Sequence, residues 1–285
     1  MRALVAAAIL AALAPAAEDS GIRGPVSGFV FGGPSGEIRP IVGRPGAAYL
    51  GAAVGGKFDL AAPSPEADAA LTVRGGELWL VRNLEGAPAG QRIERALAGI
   101  DRIAWSRGGA ALVYSSASGR AQRVQDGEIT ADFELPAGLN ALAVDGARLF
   151  VTFGEASQAR VGENEARVGE EASVGENEGR VWEIEDFGRG SALLPFTGGS
   201  GGAGRLELSA DGRRLLVAEG RTVAVYDVQS RSLLERIELD FEASALRRLR
   251  DNLFLLNAGS EGQPAYVLET GAEPLVYFVP SGGGE

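Results

Sequence analysis

At 285 residues, 45% hydrophobic and 23% charged, the chain has the composition of a folded soluble protein long enough to bury a sizeable core. It contains no His and no Cys, which excludes histidine bases, Ser–His and Cys–His nucleophile pairs, His- or thiolate-bound metals, disulfides and cysteine lipidation. A net charge of −11 repels phosphate backbones and sets general nucleic-acid binding aside.

The amino terminus reads as an export leader. Arg2 supplies a short positive region, residues 3–13 are continuously apolar, and Ala14-Pro15-Ala16 is a small-x-small cleavage pattern. Residues 1–16 are thus expected to be a signal peptide, with residues 17–27 a flexible mature terminus and the protein secreted or periplasmic. The apolar run is too short for a stable bilayer span, and no other segment is long and apolar enough.

Residues 28–31 and 36–42 form a hairpin across Gly33-Pro34-Ser35. It matches the third and fourth strands of a four-stranded unit and lacks the first two. Residues 51–57 spell G-x-x-x-x-G-K, but Phe58 stands where a phosphate loop needs Ser or Thr. They read as a glycine-rich connection.

From there one grammar recurs: an apolar strand, a turn, a second apolar strand. Ile103-Ala104-Trp105-Ser106 and Gly108-Gly109 lead into residues 110–114, and Leu142-Ala143-Val144 and Asp145-Gly146 lead into residues 149–152. Residues 205–240 complete the pattern with four strands and three short turns, one antiparallel sheet. Residues 64–81 align with 209–226 without a gap, placing Gly75 opposite Gly220. Residues 246–249 and Asp251-Asn252 lead into 253–256. The first turns fall near residues 66, 108, 145, 211 and 251, at spacings of 42, 37, 66 and 40. The long interval contains VGENEAR, VGEEAS and VGENEGR; removing these repeats, about 20 residues, restores a single unit. This acidic insertion, residues 155–180, is read as a solvated mobile loop between second and third strands. It lacks the spaced Asp/Asn ligands and terminal Glu of a calcium loop.

Leu208-Ser209-Ala210-Asp211-Gly212-Arg213-Arg214-Leu215-Leu216-Val217-Ala218, followed by Val223-Ala224-Val225-Tyr226-Asp227, resembles the bacterial YVTN-type and WD40-like propeller repeats. The resemblance implies an all-β fold over residues 28–279: a β-propeller of four-stranded antiparallel blades, with 280–285 a flexible tail. Five full units and one partial unit predict six blades, with five or seven as alternatives. The chain departs from WD40 repeats in having no Gly-His pair, and Trp-Asp occurs only as Tyr226-Asp227 or Trp182-Glu183.

Residues 198–202 match G-x-S-x-G and 199–204 a dinucleotide fingerprint by letter; without the strand–turn–helix context and with no His, both read as loop. The candidate ligand-binding residues are Arg247, Arg248 and Arg250. On a blade's innermost strand they would meet the central channel, where they face an anionic ligand or a partner carboxylate, unless they pair with Asp240, Glu242 or Asp251 nearby. Trp79, Trp105 and Trp182 are read as packing between blades. No catalytic residue, metal or cofactor is assigned. The expected function is a non-catalytic binding or scaffold propeller, engaging another protein or a small ligand at its face or channel. The alternatives are a structural or display role and a calcium-dependent lactonase-like hydrolase, which would need Glu, Asp and Asn converging on the channel.

Overall fold

The computed structural model describes residues 24–32, 35–136, 138–154, 181–187, 193–197, 204–257 and 264–282. The expected leader, the acidic insertion 155–180 and the glycine tract 198–203 lie outside the described residues.

The strands assemble into six four-stranded sheets, one after another along the chain. Blade I holds β1 (Val26–Gly32), β2 (Glu37–Val42), β3 (Tyr49–Leu50) and β4 (Val54–Lys57). Blade II holds β5 (Leu60–Pro63), β6 (Ala69–Arg74), β7 (Glu77–Arg82) and β8 (Ala89–Arg92). Blade III holds β9 (Arg102–Trp105), β10 (Ala111–Ser115), β11 (Arg120–Gln125) and β12 (Glu128–Glu134). Blade IV holds β13 (Leu139–Asp145), β14 (Arg148–Phe153), β15 (Val181–Ile184) and β16 (Leu193–Thr197). Blade V holds β17 (Arg205–Leu208), β18 (Arg214–Glu219), β19 (Thr222–Asp227) and β20 (Leu233–Glu238). Blade VI holds β21 (Arg247–Arg248), β22 (Leu253–Leu255), β23 (Ala265–Glu269) and β24 (Leu275–Val279).

The first strands β1, β5, β9, β13, β17 and β21 follow one another around a common axis, and each blade's later strands step outward from it. This is a six-bladed β-propeller. Apolar burial explains the arrangement. The described core divides into six clusters, each straddling one pair of neighbouring blades. A middle strand is therefore covered on both faces, which is why β6, interrupted only by Thr72, and β18 are apolar up to their charged ends and buried almost throughout. The outermost strands β8, β12 and β20 are largely exposed and polar.

Blade I corrects the sequence reading. The 28–42 hairpin is its first and second strands, not its third and fourth. Its third strand is broken in two, with β3 and β4 both pairing to β2 on either side of Gly51-Ala52-Ala53. Two short pieces, one of them Val54-Gly55-Gly56-Lys57, carry no apolar alternation to reveal them. Residues 54–57 of the G-x-x-x-x-G-K stretch are therefore strand rather than connection.

The ring closes between blades VI and I. Gly28 adopts φ +151°, and a β-carbon there would lie 2.9 Å from the Leu249 Cβ, so glycine lets the first inner strand press against the last blade. At the rim the chain continues past β24 onto blade I: Leu50 N–H donates to the Pro280 carbonyl (2.9 Å), and Leu50 and Ser281 form a parallel bridge. Closure leaves fewer free sheet edges for intermolecular pairing.

Candidate functional site

Two polar regions emerge, one on the face carrying the first–second and third–fourth strand turns, the other in the central channel.

The turn face is built from hairpin chemistry. In blade V the Ser209 hydroxyl donates to Asp211 (2.6 Å), whose carboxylate accepts Arg213 N–H (3.0 Å), while Ser209 Oγ accepts Arg214 N–H (2.9 Å). The Ser209 hydrogen bond, foremost, holds the Asp211 carboxyl below its ordinary pKa. This closed turn is the physical content of the S-x-D-G motif. At the blade's third turn Asp227 accepts the N–H groups of Gln229 (3.0 Å) and Ser230 (2.7 Å). In blade II Glu66 occupies the aligned position of Asp211 and reaches outward instead. One of its oxygens accepts Gly108 N–H (3.0 Å) and the other Arg248 Nη2 (3.0 Å).

Neighbouring blades are clamped across this face. Arg107 forks onto Asp145, with Nε and Nη2 each 2.8 Å from one oxygen, and gives Nη1 to the Asp211 carbonyl (2.8 Å). The Asp145 hydrogen bond raises the Arg107 guanidinium pKa. Glu183, in the Trp182-Glu183 pair, is fully buried and receives Arg148 from its own blade (2.5 Å) and Arg231 from blade V (2.9 Å). Between these clamps lies a cleft of about 940 Å³ lined by four arginines and four carboxylates, among them exposed Arg213 and Glu185.

The channel contains what the sequence only partly indicated. Arg247 begins β21 and sends Nη1 across to the Ile103 carbonyl of the opposite blade (2.9 Å). It is exposed to channel solvent yet enclosed enough that desolvation, first, lowers its guanidinium pKa, with Arg102 and Arg205 adding like-charge repulsion. Arg248 is 7% exposed and paired with Glu66, although its Nε has no acceptor among the described residues. Arg250, in the following turn, bonds the Val26 carbonyl (2.8 Å) and Glu85 (2.6 Å). The partners of Arg248 and Arg250 are thus carboxylates of blade II, not Asp240, Glu242 or Asp251. Glu207 accepts Arg248 N–H (3.1 Å) and Leu208 N–H (3.1 Å), and burial pushes its carboxyl up.

Arg102 and Arg205 escaped the sequence reading. The two share one position, four residues before the first turn bond at Ser106 and Ser209, and that was the available signal; Arg247 stands two residues nearer its turn, level with Glu207. Among the described residues the channel is therefore neither a convergence of acids nor an apolar pore. Among the described residues no group of three or more Asp and Glu is placed to hold a metal ion, and no helix is long and apolar enough to cross a membrane. Trp182 packs in the cluster shared by blades III and IV, and Trp105 Nε1 donates to the Ala62 carbonyl of blade II (2.8 Å), both uniting blades as expected.

No family model matches the chain, and no curated protein sequence does. Solved structures do. A chain of a nidogen/laminin complex superposes with TM-score 0.54 at 10% identity, over 87% of this chain and 95% of that one. The Myceliophteria thermophila Cps50 (Swd1) β-propeller domain superposes with TM-score 0.50 at 11% identity, over 75% of this chain and 66% of that one. Kuenenia stuttgartiensis hydrazine synthase gives TM-score 0.45 at 14% identity, over 76% of this chain and 64% of that one. The chain thus spans slightly under two-thirds of the hydrazine synthase and Swd1 chains. At these identities the likeness is one of fold. The fold is a six-bladed, WD40-like propeller.

Proposed function

We propose that the chain is an exported, non-catalytic propeller of YVTN-type bacterial repeats that binds a protein partner through its turn face. The observation carrying this reading is the 940 Å³ cleft, where side chains of both signs are held by bonds between blades. A face of fixed, alternating charge selects a partner by electrostatic complementarity and needs little reorganisation on binding. The apolar run at residues 3–13 and the cleavage pattern ending at Ala16 support export. The likeness in fold to a chain of a nidogen/laminin complex is in keeping with a role in assembly.

The test reverses two exposed charges of the cleft, Arg213→Glu with Glu185→Arg. Immobilised wild-type and variant proteins are incubated with the producing cell's exported proteins, and retained species are quantified by mass spectrometry. A partner retained by wild type is expected to fall about tenfold on the variant and to dissociate as salt rises. Identical capture profiles would refute the turn face as the binding surface. Amino-terminal sequencing of the secreted protein is expected to begin at Ala17.

A further inference from the structure

We propose that the central channel binds a small oxyanion, a carboxylate or a phosphate, between Arg102, Arg205 and Arg247. This site is separate from the turn-face cleft and stands without it. The three arginines stand on the innermost strands of blades III, V and VI, Arg102 and Arg205 at one level and Arg247 two residues nearer the turn, from where it reaches back to Ile103 beside Arg102, so three separate walls contribute one guanidinium each.

An architectural role accounts for part of this cluster. The inward edge of an innermost strand has carbonyls with no neighbouring strand, and such groups need donors. Arg247 supplies one to Ile103, and Arg102 supplies Nε to Asn140 (3.0 Å) and Nη1 to Asp101 (2.8 Å). Arg205 supplies none: its guanidinium has no hydrogen bond or ion pair among the described residues, and it is exposed. Capping therefore leaves Arg205 unexplained. A guanidinium offers five N–H donors in a flat fork that matches carboxylate and phosphate oxygens, and most of these donors stay uncommitted here.

Charge accounting points the same way. Arg248 is neutralised by Glu66. The carboxylate whose field reaches Arg247 is Glu207, already engaged by two backbone N–H groups. Asp101 lies 4.0 Å from Arg102 and is bound by the Ser116 hydroxyl. Three guanidinium groups against these two carboxylates leave one positive charge on the solvated channel wall, where like charges on neighbouring walls repel and a counter-anion is favoured. A bound oxyanion removes that surplus and satisfies forks from opposite walls at once.

The experiment is calorimetric titration of the purified protein at low ionic strength with inorganic phosphate and, separately, with succinate, paired with thermal melts. Saturable one-site binding of either anion is expected, with a melting temperature that rises with ligand concentration. Arg205→Gln is expected to weaken binding about tenfold or more without lowering the ligand-free melting temperature, because the side chain bonds nothing in the fold and its removal relieves like-charge repulsion on Arg247. Arg247→Gln should weaken binding similarly, whereas Arg74→Gln, the same charge change at the exposed end of β6, should not. Tighter phosphate or tighter succinate binding assigns the oxyanion class. The proposal is overturned if neither anion binds saturably, if Arg205→Gln binds as wild type does, or if chloride at matched ionic strength stabilises equally.

Discussion

Replacing Arg148 by Met tests how two adjacent blades are tied together. Glu183 has no exposed surface and is held by Arg148, through Nε at 2.7 Å and Nη2 at 2.5 Å, and by Arg231 at 2.9 Å. Removing one partner of a buried ion pair leaves an uncompensated charge and costs about 3–5 kcal/mol when both partners are enclosed. Here the arginine side chains are 37% and 40% exposed, so solvent screens them, and the buried carboxylate keeps Arg231 on one oxygen while the other loses both its bonds. The expected loss for Arg148→Met is therefore about 2–3 kcal/mol, and for Arg231→Met, with its single contact, about 1–2 kcal/mol. Glu183→Gln should cost less than Arg148→Met, because it removes the group that cannot be solvated and leaves two that can. The double variant Arg148→Met/Glu183→Gln should then recover about 1 kcal/mol relative to Arg148→Met alone. Urea unfolding followed by fluorescence of neighbouring Trp182 measures all of these. Additive single effects, or a Glu183→Gln loss as large as that of Arg148→Met, would show that the stranded carboxylate is not the source of the destabilisation.

Gly28→Ala should destabilise by about 1–3 kcal/mol, since the backbone is in a region L-residues avoid and the new methyl meets Leu249, as urea unfolding will show. Ending the chain at Val279 removes the Pro280 carbonyl from Leu50 N–H and should cost about 1–2 kcal/mol; the Leu50 amide should exchange about tenfold faster in deuterium. Glu207 gives a pH signature. Its folded carboxyl is raised, so between the unfolded carboxylate range and that raised value the folded state holds more protons, and stability falls as pH rises through the window. Asp211 and Asp227 are lowered and act oppositely at more acid pH, so the stability difference between wild type and Glu207→Gln, measured against pH, isolates the effect. A difference flat with pH would contradict the burial ascribed to Glu207.

What the sequence disclosed was local. The gapless alignment of residues 64–81 with 209–226 is reproduced strand for strand, β6 with β18 and β7 with β19, and the structure extends it back to β5 and β17. Gly75 and Gly220 fall on the same turn position with φ +58° and +56°. Turn chemistry and doubly covered strands leave marks that neighbouring residues alone can carry. Blade I was misassigned because a hairpin looks alike wherever it stands in a blade; which edge faces the axis is decided by strands elsewhere in the chain. The arginine partners were hidden for a related reason. Glu66 lies 182 residues from Arg248 and Glu85 lies 165 from Arg250, distances that only ring closure brings to bonding contact.

Closing a propeller still leaves each innermost strand with an unpaired inward edge. The repair here is made by side chains of other blades: Trp105 donates to Ala62, Arg102 to Asn140, Arg247 to Ile103 and Arg250 to Val26. Arginine suits the task because one guanidinium reaches a carbonyl and keeps donors to spare. The same substitution of cations for a missing strand concentrates positive charge in the channel of a protein whose net charge is −11. An acidic exterior and a cationic bore oppose each other for an approaching anion, which favours a small ligand with concentrated charge over an extended polyanion that must also lie along the surface. Donor accounting then separates the two roles within one cluster. Arg102 and Arg247 are accounted for by carbonyls, and Arg205, which caps nothing, is the residue whose removal reports on binding alone.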